Sequence, residues 1–253
     1  MSAILSVRDL EKTFGSVVAA RDITVDVPPQ QTVGIIGANG AGKTTFVNMI
    51  TGHLAPSKGS IHFEDKDITG LPSRVITRLG ISRSFQVAQV FPSMTVAENM
   101  RMASAIARGK DSIIERMLHP LDAPENAAEA DAAIELFQIA RYRDSRAAML
   151  PQGVRKLLDI AMAVAGSPRL LLLDEPTSGI SVEEKFGLMD VVMSALKSRR
   201  MTVLFVEHDM DIVGRFADRL MAFYDGTVIA DGTPDAVLSN PEVQTLISGA
   251  PHA

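Results

Sequence analysis

The chain is 253 residues long, 46% hydrophobic and formally charged −5, which admits one large α/β domain with a sizeable core and excludes a disordered chain. It contains no cysteine, so disulfides and thiolate metal sites are excluded and a reducing compartment suits it. The acidic balance argues against nucleic acid as a partner; with no signal-peptide start and no apolar run long enough to cross a bilayer, a soluble protein is expected whose membrane role would run through a partner.

In chain order, ILSVRDL (4–10) and DITVDV (22–27) alternate apolar and polar residues and predict half-exposed strands. TVGIIG (32–37) is a continuous apolar run, the pattern of a buried strand. A glycine-rich loop follows, then KTTFVNMITG, a helix ending near Gly52. SIHFEDKDITG (60–70) and GISRSFQ (80–86) predict further strands, the second ending at Gln86. From about 88 to 165 the pattern turns helical, with VAENMRMASAIARGKDSIIERML and NAAEADAAIELFQIA separated by a linker, HPLDAPEN. LLLLDE (170–175) restores sheet character, followed by a helix through EEKFGLMDVVMSALKSRR, a strand TVLFVEH and a helix DMDIVGRFADRL. LMAFYDGTVIADG predicts a hairpin turning at Asp225-Gly226, and PDAVLSNPEVQTLIS a short helical appendage. Strands alternating with helices indicate a mainly parallel sheet covered on both faces.

GANGAGKTT, Gly37-Ala38-Asn39-Gly40-Ala41-Gly42-Lys43-Thr44-Thr45, fits G-x-x-x-x-G-K-[ST] and sits between the buried strand and a helix. Glycines let backbone amides wrap phosphates, and the helix N-terminus adds partial positive charge. Lys43 is placed to reach the β- and γ-phosphates and Thr44 to hold Mg²⁺. LLLLDEP carries Asp174 to the C-terminal edge of the sheet, where it would support Mg²⁺, with Glu175 beside it to polarise a water. Gln86 and His208 end short strands, and either can touch Mg²⁺, water or the γ-phosphate; a surface or capping role is the alternative for each. Phe14 after the first strand can stack on an adenine ring or belong to the core.

Phe14, GANGAGKTT, Gln86, a loop before a helix at 150–154, LLLLDE and His208, in this order, resemble the ATP-binding cassette (ABC) ATPases over nearly the whole chain. DITGLPSRVITRLGISRSFQVAQVFPSMTVAENM and VEHDMDIVGRFADRLMAFYDGTVIADGTPDAVLSNPEV resemble more narrowly the ATPase subunits of branched-chain amino acid importers. The resemblance implies a P-loop NTPase core with a mainly parallel sheet (1–87 and 166–253), an N-terminal antiparallel β subdomain and a helical insert subdomain (88–165). It implies that Gly37–Thr45 bind the triphosphate of ATP, that Glu175 is the general base and His208 the switch histidine. It implies Mg²⁺ at Thr44, Gln86 and Asp174. Two such subunits sit beneath two membrane permeases on the cytoplasmic face, with a periplasmic binding protein acting indirectly. Residues near Gln86 and in the helical insert would meet the permease, and each subunit's signature loop would cover the other's ATP. A different ABC system, an exporter or a non-transport cassette protein, is the alternative.

Two departures from the family pattern stand out. The signature, Leu-Ser-Gly-Gly-Gln or close to it, is here Leu150-Pro151-Gln152-Gly153-Val154. Pro151 has neither hydroxyl nor N–H, and Val154 donates nothing. That leaves the Gly153 amide, the helix N-terminus and nearby Arg155 and Lys156 to meet phosphate. The plain reading has Pro151 at the first position of a helix. An identical pair would suffer the loss twice, which favours a paralogous partner ATPase over a homodimer. The loop SGIS (178–181) ends in Ser181 where the family has Asp; Ser181 and Glu184 fit a helix capping box.

Overall fold

The computed structural model describes residues 3–84, 88–108 and 124–248. Among them stand two sheets. Strands β1 (Leu5–Phe14), β2 (Val17–Val27), β4 (Lys58–Phe63) and β5 (Lys66–Asp67) form an antiparallel sheet in the order β2-β1-β4-β5. The other strands are β3 (Thr32–Gly37), β6 (Ile81–Ser84), β7 (Leu170–Asp174), β8 (Thr202–Val206), β9 (Arg219–Tyr224) and β10 (Thr227–Gly232). They form a second sheet in the order β10-β9-β3-β8-β7-β6, parallel throughout except for the β9–β10 hairpin.

The two faces of this parallel sheet feed different cores, which is why LLLL must be apolar at every position. Leu170 and Leu172 pack with the antiparallel sheet and α1 (Lys43–Ile50), while Leu171 and Leu173 pack under the helices on the other side. Val203 and Phe205 of β8 alternate with Leu204 and Val206 in the same way. A strand buried on both faces shows no period-2 polarity.

Between β6 and β7 run α3 (Val96–Arg108), α4 (Pro124–Leu136) and α5 (Gln152–Val164). Short α2 (Ser73–Arg78) precedes β6. Helices α6 (Val182–Ser198) and α7 (Met210–Phe216) cover the sheet, and α8 (Pro234–Leu238), α9 (Pro241–Val243) and one π-helical turn (Gln244–Ser248) form the appendage. The start of α3 is closed by a reciprocal cap: Thr95 accepts from the Glu98 amide and Glu98 accepts from the Thr95 amide.

The α/β class, the antiparallel N-terminal sheet and the hairpin turn agree with the sequence. Asp225 and Gly226 both take positive φ, as a two-residue hairpin turn requires. Some expectations are corrected. Helix α4, described from Pro124, already includes the last residues of the expected linker. The expected helix DMDIVGRFADRL stops at Phe216, and Arg219 and Leu220 pair with β3 instead. Ser181 does cap α6, but its side chain makes no capping bond; its carbonyl accepts from the backbone amides of Glu184 and Lys185. Gln86, taken as the end of β6, lies outside the described residues.

Candidate active site

Strand β3 delivers Gly37 to the C-terminal edge of the sheet, and α1 begins six residues later at Lys43. Two glycines make this loop possible. A Cβ on Gly37 would stand 2.4 Å from the Phe223 carbonyl oxygen; one on Gly42, at φ +97°, would stand 2.7 Å from that of Ala19. The loop is thereby laid against β9 and β2, with Ala41 buried and Ala38, Asn39 and Gly40 exposed. The hairpin turn supports it from below, the Gly226 amide donating to the Ala41 carbonyl at 3.1 Å. Gly42 caps α1 without a side-chain bond, so the helix N-terminus faces outward with its own amides. Thr44 is exposed and Thr45 half-buried.

Lys43 is 6% exposed. Its Nζ donates to the carbonyls of Gly37 (2.7 Å) and Ala38 (2.9 Å). Burial pushes its pKa below the usual lysine value, and the negative charges of Glu175 and Asp174 oppose that shift. A lysine that two carboxylates stabilise, seated on the loop it would leave, is suited to meet an anion.

Asp174 ends β7 and is ion-paired. Arg83, in the middle of β6, donates from Nη2 to Asp174 Oδ2 at 2.5 Å and from Nη1 to Asn48 Oδ1 of α1 at 2.6 Å. Both charged side chains are nearly enclosed, 8% and 14% exposed. Sequence reasoning missed Arg83; its one signal is a cation inside a four-residue strand. Glu175 follows in the left-handed region at φ +47° and lies 2.9 Å from Nε2 of His208, which stands just beyond β8. Because β8 lies between β3 and β7, the structure brings Lys43, Asp174, Glu175 and His208 to one edge.

Phe14 does not join the core. Its ring is 52% exposed at the end of β1, with the Lys12 ammonium 5.2 Å from its centroid. Gly153 lies at the start of α5 against Ile180 and Leu188.

The family model for ABC transporters matches residues 20–178. The high-affinity branched-chain amino acid transport ATP-binding protein LivG of Escherichia coli K12 is 34% identical over 244 residues, 95% of each chain. A probable LivG of Archaeoglobus fulgidus is 33% identical, with 98% of this chain and 96% of the relative covered. The chain belongs to the ABC transporter family. Its structure is similar to that of an ATP-binding cassette of an ABC transporter in its ADP conformation, with a TM-score of 0.83, 30% identity and 99% and 100% of the two chains covered. As an ABC cassette the chain binds and hydrolyses ATP. Among the described residues no helix is long and apolar enough to cross a membrane.

The altered signature of this cassette is a helix start with few donors. Pro151 is the residue before α5 rather than its first residue, a shift of one from the sequence reading, and its carbonyl accepts the first helical bond, from Arg155. The two cations expected near phosphate are turned elsewhere. Arg155 donates to the carbonyls of Ala148 (3.1 Å) and Leu150 (3.3 Å). Lys156 is 4% exposed, its pKa lowered by burial against the pull of Asp159, Asp174, Glu207 and Glu175. What faces outward is the helix end itself, with the exposed side chains of Met149, Pro151 and Gln152.

Proposed function

We propose that this ATPase powers an importer for branched-chain amino acids or a related small organic solute, peripheral on the cytoplasmic face of the cell membrane. The observation that carries the catalytic part is the meeting of Lys43, Asp174, Glu175 and His208 at one sheet edge. The solute class follows the names of the relatives matched over nearly the whole chain.

In this reading the amides of Gly37–Thr45 and the start of α1 cradle the triphosphate, and Lys43 leaves its two carbonyls for the phosphates. Phe14, exposed beside the loop-facing strand β2, stacks on the adenine. Thr44, Asp174 and Gln86 offer the oxygen donors that suit a hard cation, and Mg²⁺ held there supplies charge neutralisation for the transferred phosphate. Glu175 accepts the proton of the attacking water. His208 holds the Glu175 carboxylate at hydrogen-bond distance and faces the same phosphate. Gly153 and the start of α5 close over the ATP of a second ATPase subunit, a paralogue rather than an identical chain. A periplasmic binding protein brings the solute to the permeases and does not touch this chain.

The chain divides, on this proposal, into a core lobe (1–87 and 166–253) and a helical lobe (88–165). A cavity of about 780 Å³ lined by Thr77, Arg78, Ser82, Phe91, Ile106 and Met162 lies between α2–β6 and α3–α5. Phe91 and Ile106 are exposed apolar side chains in it, a combination that fits a permease segment. The permease contact is proposed to run from 87 to 99, of which Val87 lies outside the described residues.

The test is Glu175→Gln in the assembled complex. MgATP binding is retained, and turnover falls ~10²–10⁴-fold, the contribution of a general base; near-normal turnover would remove Glu175 from the role. For the permease contact, single cysteines along 88–99 in this cysteine-free chain cross-link to a permease in membranes, and failure at every position ends that assignment.

A further inference from the structure

The pairing of β7 with β8 ends at Asp174 and Val206, and the Glu175 amide makes one more backbone bond, to the Val206 carbonyl at 3.0 Å. Beyond that point the two chains separate. Glu175 turns into the left-handed region, Ser178 donates to its carbonyl, and Ile180 donates to that of Thr177. A non-glycine residue holds such a conformation only where its surroundings fix it.

Glu207, the first residue after β8, spans the gap. It is 4% exposed. Its Oε1 accepts from both the amide (2.8 Å) and the hydroxyl (2.7 Å) of Thr177, and its Oε2 accepts from the His208 amide at 3.2 Å. One buried carboxylate thus extends the β7–β8 ladder past its last backbone bond. It ties the loop that follows Glu175 to the backbone of His208. Burial pushes its pKa up, while the bonds from Thr177 and His208 pull it down. A carboxyl this enclosed is costly without partners, and all three donors here belong to the two loops that carry the reacting pair.

We infer that Glu207 is a positioning residue for hydrolysis: acting through Thr177 and the His208 backbone, it holds Glu175 and His208 in register with each other and with the loop 177–181. The inference rests on Glu175 and His208 having the roles proposed above. Its consequence is that a displacement of loop 177–181, which leads to Ser181 and α6, is transmitted to both catalytic side chains at once.

The experiment uses the chain in its complex with permeases and partner ATPase. Glu207→Gln keeps the shape and one acceptor but turns an NH₂ toward either Thr177 or the His208 amide. Thr177→Val removes only the hydroxyl, and Thr177→Ser keeps both donors. Glu207→Gln and Thr177→Val are each expected to lower kcat ~10-fold through misplacement of the pair, with KM for ATP and equilibrium ATP binding unchanged. Thr177→Ser retains the wild-type rate, and the double variant is about as slow as the slower single variant, since the two residues act as one unit. Wild-type kcat in both single variants, equal loss in Thr177→Ser, or multiplicative loss in the double variant overturns the inference. If Glu207→Gln does not fold, the Thr177 pair carries the test alone. Glu175→Gln is measured alongside. Active Glu175→Gln defeats the underlying reading; inactive Glu175→Gln with normal Glu207→Gln and Thr177→Val defeats this inference only.

Discussion

Among the helices that start without a side-chain cap, α1 after Gly42 and α5 after Pro151 are equipped very differently. At α1 two glycines bring the loop against its neighbours, Lys43 lies on the loop, and two carboxylates stand behind it. At α5 the same partial charge is present, but Pro151 donates nothing, Arg155 is turned onto loop carbonyls and Lys156 is buried. A helix end alone contributes ~0.3–1 kcal/mol to an anion, whereas each hydrogen bond to a charged group contributes ~1.5–3 kcal/mol. The dipole orients a phosphate; the side chains around it decide how tightly it is held.

The most severe test of that contrast is functional. Lys43→Ala in this chain is expected to abolish turnover if, as proposed, a paralogous partner's fuller signature covers the ATP over Lys43 and Glu175. On the same proposal the equivalent change in the partner ATPase is expected to leave a substantial fraction, the site closed by Pro151 and Val154 contributing little. Two lost donors weaken closure by roughly 10²-fold or more at ~1.4 kcal/mol per tenfold. ATP turnover of the two reconstituted complexes decides it. Equal losses, or brisk hydrolysis by a complex holding two copies of this chain, would make Pro151 and Val154 tolerated variants.

A smaller effect separates the two ends by stability. Arg83→Met leaves Asp174 nearly enclosed without its cation and Asn48 without its donor. Removing one partner of a buried ion pair costs ~3–5 kcal/mol, and each kcal/mol lowers Tm by roughly 2–4 °C in a chain of this size. Pro151→Ala, which removes no side-chain hydrogen bond, changes stability by about 0.5 kcal/mol or less. Thermal denaturation of the two nucleotide-free variants compares them. A Pro151→Ala loss as large as that of Arg83→Met would mean that the α5 end is braced too.

What the sequence made legible follows the same division. GANGAGKTT and LLLLDE were readable because their chemistry is local: a loop between strand and helix, and a carboxylate at the end of an apolar run. The Asp225-Gly226 turn was readable for the same reason, although nothing local says that it supports the phosphate loop through Ala41. Arg83 and Glu207 were not readable. Arg83 meets Asp174 across 91 residues of chain, and Glu207 meets Thr177 across 30; strand adjacency brings them together, and no spacing encodes it. The orientation of Lys156 was misjudged for a related reason. It sits one residue past Arg155 beside an apparent phosphate-binding end, but one residue is about 100° of helix, enough to turn it from the surface into the interior.

Lys43 gives the finest comparison, since its burial makes it a cost to the empty fold. Its folded-state pKa is depressed below 10.5, with burial as the leading cause. The folded state therefore binds fewer protons than the unfolded chain between the folded pKa and 10.5. That cost is fully present below the folded pKa and is relieved as pH rises through the window toward the unfolded value. Lys43→Met keeps the length and removes the charge. The nucleotide-free variant is expected to be more stable than the native chain by ~1 kcal/mol at pH 7, or roughly 2–4 °C in Tm, and its advantage shrinks as pH climbs into the alkaline window. Arg155→Met, whose cation lies on loop carbonyls nearer the surface, moves Tm little at any pH. Denaturation curves from pH 7 to the alkaline limit of folding test the sign. A Lys43→Met variant less stable than the native chain at neutral pH would show that the bonds to Gly37 and Ala38 outweigh the burial of the ammonium. The phosphate loop would then be rigid before ATP arrives rather than held in a state that ATP relieves.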